Sequence, residues 1–182
     1  MPDTSRLVIG VAGRIGSGKT EVARYLEQEC GFQYLRYSLV LAEWCKTHPD
    51  AKAQLQQVGW NVMSGEGQRE LNRRLIGQIQ HGRDCVVDGL RHPIDFESLK
   101  NGFASRFFLI YIDTPAEIRF QRLRERYKSY ADFVAADSHP VESNIELIVS
   151  LASAVLPGTL PMQEIDAEMH GLVESFRTAE AL

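Results

Sequence analysis

Leu7-Val8-Ile9-Gly10-Val11-Ala12 runs directly into Gly13-Arg14-Ile15-Gly16-Ser17-Gly18-Lys19-Thr20, and this stretch decides the fold. The first part is a continuous apolar run, as expected of a strand buried on both faces of a parallel sheet. The second matches G-x-x-x-x-G-K-[ST] in full. Glycines permit backbone conformations and close approaches closed to residues with a Cβ. Successive N–H groups can then converge on phosphate oxygens, backed by the positive end of the following helix. Residues Gly13, Arg14, Ile15, Gly16, Ser17, Gly18, Lys19 and Thr20 are therefore the expected cradle for the phosphates of a nucleoside triphosphate such as ATP. Lys19 would contact the β- and γ-phosphates, and the Thr20 hydroxyl would join the shell of Mg²⁺. Thr20 to Glu29 reads as the helix that the motif demands, with Val22, Ala23 and Leu26 on one side and Gly31 beyond its end.

Working outward, strand and helix signals alternate. Phe32 to Tyr37 is a second strand. Leu39 to Lys46, Ala51 to Val62 and Gln68 to Gln80 read as helices. Cys85-Val86-Val87-Asp88 and Phe107 to Asp113 are buried strands that end in an acid. Pro115 opens a helix to about Tyr127, Ser153 to Leu156 is a last strand, and Gln163 to Phe176 a last helix. This order specifies a three-layer α/β fold with a mostly parallel sheet, whose ligands bind at the carboxyl ends of the strands.

Residues that follow the strands are accordingly the candidates for chemistry. Asp88 is placed to act with Thr20 on a metal ion held by nucleotide. Asp113, heading into Thr114-Pro115, is better suited to capping a helix. Arg91 follows Asp88 on the same rim and suits a phosphate or carboxylate of a second substrate, whereas His92, next to Pro93, reads as a loop residue. On the helix after Pro115, Arg119, Arg122 and Arg126 fall within roughly 60° of one another at about 100° per residue. Such a crowd of guanidinium groups is satisfied by a triphosphate in transfer, or by Glu117 and Glu125 on a solvated face.

The chain has 182 residues, the length of one ordinary domain, with 44% hydrophobic and 24% charged residues and a net charge of −4. An acidic balance disfavours non-specific nucleic-acid binding. The longest uncharged stretch, Leu147 to Gln163, is broken by Pro157, Gly158 and Pro161 and falls short of the roughly 20 apolar residues of a membrane helix. Cys30, Cys45 and Cys85 form neither a CxxC nor a zinc pattern and read as reduced thiols of a cytoplasmic protein. The pattern specifies no oligomeric state.

As an ordered set, the GKT loop, the strand ending Asp88-Gly89-Leu90-Arg91, and Asp113-Thr114-Pro115-Ala116-Glu117-Ile118-Arg119-Phe120-Gln121-Arg122-Leu123 resemble a P-loop small-molecule kinase. The set is similar to dephospho-CoA kinases, deoxynucleoside monophosphate kinases of phage, kinase-like domains joined to deoxycytidylate-type deaminases, and archaeal kinase-like proteins. The resemblance spans roughly Leu7 to Pro157. It implies a five-stranded core sheet with helices on both faces, an ATP·Mg²⁺ donor, and an arginine-rich lid over about 119–140 on a single domain covering 1–182.

In such enzymes Lys19, Asp88, Arg122 and Arg126 would serve catalysis. Ser38, Arg91 and Arg119 would bind the small phosphorylated acceptor, a nucleoside monophosphate or a coenzyme A precursor, and the purine would lie near Pro157. The pattern departs from its relatives on the acceptor side. Leu39 and Ala42 stand where an aspartate and an arginine are common, and Met63 where an acceptor-binding arginine is common. The asparagine often found near the base is missing around Leu156 to Thr159. Trp44, Trp60, Leu39 and Met63 could build an apolar acceptor pocket or fill the core. The expected function is thus a kinase of a small phosphorylated metabolite, with two alternatives: a nucleotide-binding regulatory module that has lost transfer, and an NTPase coupled to a partner protein.

Overall fold

The computed structural model describes residues 6–48, 52–63 and 66–179. Five strands, β1 (Val8–Ala12), β2 (Gln33–Arg36), β3 (Cys85–Leu90), β4 (Phe107–Asp113) and β5 (Ala154–Pro157), form one sheet in the order β2-β3-β1-β4-β5. Every pairing is parallel. β1 lies at the centre, between β3 and β4, which is why its sequence is apolar without alternation.

One face of the sheet is covered by α1 (Lys19–Gln28) and α10 (Met162–Thr178), through Val22, Leu26, Met169 and Val173 packed on Ile9, Val11 and Val86. The other is covered by α2 (Tyr37–Trp44), α3 (Lys52–Met63), α4 (Gly67–Ile76) and α5 (Pro93–Phe103), through Leu41, Leu71, Leu75 and Leu99. The three-layer α/β fold expected from the alternation is the one observed.

Three local expectations are corrected. The segment after Arg91 is not a plain loop. His92 caps α5, accepting a hydrogen bond from Ile94 N at 3.1 Å, while Asp95 accepts one from His92 N at 3.0 Å. Pro93 at the first helical position completes the start signal, ahead of the buried Leu99 and Phe103.

The arginine helix is short. α6 (Ala116–Arg122) stops because the chain turns at Leu123, whose N–H bonds Phe120 O at 3.0 Å and whose side chain seats against Gly16. Arg126 therefore lies beyond the helix. Finally, Asp113 does not cap α6, which starts from Pro115 without a side-chain cap; its carbonyl instead accepts from Gly158 N at 2.7 Å.

The expected lid contains α7 (Tyr130–Asp137), capped by Ser129 and anchored by the fully buried Phe133. The turns α8 (Pro140–Ser143) and α9 (Ile145–Val149) lead from it to β5. Gly158, just past β5, lies so close to the cradle that a Cβ there would strike Thr114 Oγ1 and the Ser17 carbonyl. Gly158→Ala is expected to lower stability by about 1–3 kcal/mol, as overpacking does, and thermal melting of the variant beside the parent checks this.

Candidate active site

The cradle begins where β1 ends. Gly16 and Gly18 hold φ of 76° and 100°, which only glycine adopts without strain. Gly16 also admits Leu123 Cδ1 at 2.8 Å from the place a Cβ would take, so the turn and the start of the lid interlock. Gly18 starts α1 with no side-chain cap, and the N–H groups of a first helical turn lack intrahelical partners. The cradle therefore ends in a helix terminus that presents N–H groups to an anion.

Lys19 is nearly buried and donates to Arg14 O at 3.2 Å. Burial first, and then Arg91, draw its ammonium down from 10.5 to about 7, with Asp88 opposing. At neutral pH the empty site thus holds a lysine poised to regain its proton beside a polyanion.

Asp88 is fully buried inside β3, which runs on past it to Leu90 rather than ending at the acid as the sequence suggested. Its Oδ2 accepts from Thr20 Oγ1 at 2.9 Å and from Tyr34 OH at 2.8 Å, and Arg36 Nε lies at 3.5 Å. Three groups thus converge on one carboxylate oxygen, and burial with Asp88 beside it pushes the Tyr34 hydroxyl well above its ordinary 10. Oδ1 is buried without a hydrogen-bond partner. An orphaned carboxylate oxygen next to a cradle threonine fits a magnesium ion or one of its waters. Among the described residues no cluster of His, Cys, Asp and Glu suits a metal held by the protein alone.

A cavity of about 860 Å³ runs from the cradle to the carboxyl ends of β2 and β3. Ile15, Gly16, Ser17, Gly18, Lys19 and Thr20 line its donor end, with Gly158, Leu160 and Ile165 beside them. Pro157, expected at the purine, is exposed and off the wall, which its neighbour Gly158 supplies instead.

The far end is bounded by Arg36, Ser38, Leu39, Gln68, Arg91 and Glu142. Leu39 is 44% exposed there, so it faces the cavity mouth, whereas Trp44 packs on the core with Arg74 over its ring. The Met63 side chain lies outside the described residues. Sequence reasoning missed Tyr34, Arg36 and Glu142, and also a buried polar knot below the far end. In that knot Asp95 Oδ1 accepts from Gln68 and from Asn72 at 2.7 Å, while its Oδ2 takes the N–H groups of Arg91 and His92. Burial raises the Asp95 carboxyl despite these bonds. The capping-box spacing from His92 to Asp95 was the signal that could have found it.

The arginines divide. Arg122 reaches Ser17 O at 3.1 Å and the Gly158 carbonyl, bridging the cradle and the turn after β5, and both it and Arg126 line the cavity. Arg119 does not line it. It is 3% exposed and donates to Thr114 O, Ile15 O and both oxygens of Asp137. Arg14, placed by sequence reasoning beside the cradle, turns away to Asp137 at 3.3 Å and Glu146 at 2.9 Å. Burial pushes the Asp137 carboxyl up, but Arg119 and then Arg14 outweigh it and hold the carboxyl below its usual range.

A glycine cradle on a parallel sheet, a lysine within it, and an acid at the neighbouring strand define the P-loop, kinase-like class. The chain belongs to the AAA domain family, whose model matches residues 9–138, and to the UPF0200 proteins. It is 31% identical over 124 residues to a UPF0200 protein of Methanothrix thermoacetophila, covering 67% of each chain. It is 29% identical over 173 residues to one of Pyrobaculum aerophilum, covering 89% of this chain and 94% of that one. The fold is also that of a sugar kinase of Janibacter (TM-score 0.65, 18% identity, 93% and 95% covered) and of shikimate kinase of Acinetobacter baumannii, solved with shikimate (TM-score 0.64, 15% identity, 97% of each). The archaeal, kinase-like part of the expected resemblance is thus observed.

Two predictions follow from these contacts. The unfolded chain keeps the Lys19 proton up to its ordinary 10.5 while the folded chain loses it near 7, so this residue makes stability rise with pH between those values. Lys19→Met removes that penalty and is expected to raise the melting temperature without nucleotide by a few degrees at pH 7. The same variant should lose the shift of about 5–10 °C that a hundredfold excess of ATP·Mg²⁺ over its Kd gives the parent; scanning fluorimetry reads both. Arg119→Ala leaves Asp137 with Arg14 as its remaining cation, takes a buried donor from two carbonyls and is expected to cost about 3 kcal/mol, read by denaturant unfolding.

Proposed function

We propose that this chain is an ATP-dependent phosphotransferase acting on a small phosphorylated metabolite, a nucleoside monophosphate or a coenzyme A precursor. One observation carries the reading: Thr20 Oγ1 donates to Asp88 Oδ2 at 2.9 Å at the foot of the cradle, Asp88 Oδ1 has no hydrogen-bond partner, and the cavity that Thr20 lines continues to Arg91 and Arg126.

Main-chain amides of Gly16 to Thr20 bind the polyphosphate, and Lys19 becomes cationic against it. Thr20 and Asp88 would hold Mg²⁺, which supplies charge neutralisation on the β- and γ-phosphates when bound. Tyr34 and Arg36 orient Asp88 through Oδ2. Arg122 and Arg126 stabilise charge that develops in transfer. Arg91 takes the anionic group of the acceptor, with Ser38 across the cavity from it. Arg119 acts through Asp137, holding the segment 119–140 as a lid that excludes water from both substrates. The chain acts as a single cytoplasmic domain, and its partners are the nucleotide and the acceptor, with no nucleic acid or membrane; among the described residues no helix is long and apolar enough to cross one.

A second reading, a regulatory module that binds nucleotide without transfer, is favoured by one feature. α2 contributes Ser38 and Leu39 to the cavity wall but no carboxylate, and both oxygens of Asp95 are already engaged.

Incubation with ATP·Mg²⁺ and a panel of ribo- and deoxynucleoside monophosphates and dephospho-CoA tests the proposal. ADP release that depends on one acceptor is the expected result, and background release with the whole panel contradicts it. Arg91→Ala should keep the thermal shift with ATP·Mg²⁺ and raise the KM for that acceptor at least about tenfold.

A further inference from the structure

Resting on the reading of Arg91 as the acceptor's anchor, we propose that Glu142 occupies the acceptor's anion position in the empty enzyme, and that a dianionic phosphomonoester displaces it. Glu142 becomes the residue that sets which acceptor charge is admitted.

Glu142 is 1% exposed, on a short turn following the lid, and its Oε1 is paired with Arg91 across 51 positions of sequence. Its other oxygen, Oε2, is buried with no partner. Both residues line the same cavity as Lys19 and Thr20. A carboxylate taken out of water and held through one oxygen is a poor occupant, because its second oxygen loses hydration without recompense.

Arg91, its partner, stands among other cations that line the same cavity. Burial draws Arg91 down to about 10, Arg36 and Arg126 push the same way, and Asp88 opposes them. A phosphate dianion carries two charges on three oxygens and suits a planar guanidinium fork better than a single carboxylate oxygen. A monoanion or a neutral hydroxyl compound offers no such surplus and leaves Glu142 in place.

The flanks of this turn are tied down independently. Asp137 is held by Arg119 and Arg14, and Glu146 by Arg14 at 2.9 Å. Exchange of one anion for another therefore needs only the stretch 138–144 to swing, while the lid helix and the buried Ile145 stay anchored. Because the same turn follows the lid directly, filling the acceptor site reports itself to the lid.

The test uses the full chain with its donor site saturated by ADP·Mg²⁺, and titrates inorganic phosphate, acetate and nucleoside monophosphates by calorimetry at pH 8. Saturation by ADP·Mg²⁺ is measured first; its failure sinks the kinase reading itself. With the donor site filled, Glu142→Gln is expected to bind at least one nucleoside monophosphate at least tenfold more tightly than the parent, and to lose that gain when combined with Arg91→Ala. Acetate should remain unbound in the parent. Equal affinities in parent and Glu142→Gln, no phosphate ligand bound by either, or a gain confined to free inorganic phosphate each overturn the proposal. Should the variant not fold, the parent decides. Backbone hydrogen exchange in 138–144 should rise when a nucleoside monophosphate joins ADP·Mg²⁺, and unchanged exchange at saturation contradicts the displacement.

Discussion

Asp88 ties the molecule together through one oxygen. Oδ2 receives Thr20 from the head of α1, Tyr34 from β2 and the approach of Arg36 at the same strand's end, so the carboxylate of β3 fixes the spacing between the cradle and the two strands beside it. A fully buried carboxylate is tolerable only when its charge is matched by donors and a cation. The arrangement leaves Oδ1 unmatched at the place where the cradle threonine ends. The geometry that stabilises the folded chain thus also leaves one carboxylate oxygen whose charge suits a cation carried in by nucleotide.

The same logic of incomplete compensation runs through the cavity. Lys19 is drawn toward neutrality by burial and by Arg91, and Arg91 itself is crowded by Arg36 and Arg126. By contrast, Arg119 and Arg14 are fully spent on Asp137, Glu146 and backbone carbonyls. These six cations near one sheet rim therefore perform two jobs. Arg119 and Arg14 build the frame around the lid, while Lys19, Arg36, Arg91 and Arg126 line the cavity where a ligand would meet them. Electrostatic preorganisation of this kind needs no rearrangement of dipoles when charge arrives.

The donor half was legible because its physics is local. A strand, a glycine turn and a helix start lie in consecutive residues, and the spacing of Gly13 to Thr20 encodes the loop directly. Asp88 was legible as an acid following the apolar run Cys85-Val86-Val87, although β3 continues past it to Leu90. What escaped was set by distant partners. Arg119, Arg122 and Arg126 look alike on a helical wheel, yet the turn at Leu123 against Gly16 ends the helix and sends them to different tasks. Asp137 and Glu142 sit in a polar stretch with no motif, and only the return of the chain over the cradle gives them arginines to meet. α5 was missed although His92-Pro93-Ile94-Asp95 carries a capping box, because histidine is an uncommon cap and Pro93 reads equally well as a loop.

The central claim is that the cradle amides and Lys19 receive a polyphosphate. Its most direct test is the calorimetric titration of ATP·Mg²⁺ at pH 8 in two buffers of different ionisation heat. Lys19, neutral there in the empty site because its value lies near 7, regains its charge beside the phosphates. Binding should therefore be accompanied by uptake of close to one proton per nucleotide, about the whole of what a group one unit above its pKa has lost. Absence of binding, or binding with heats independent of buffer, contradicts the account.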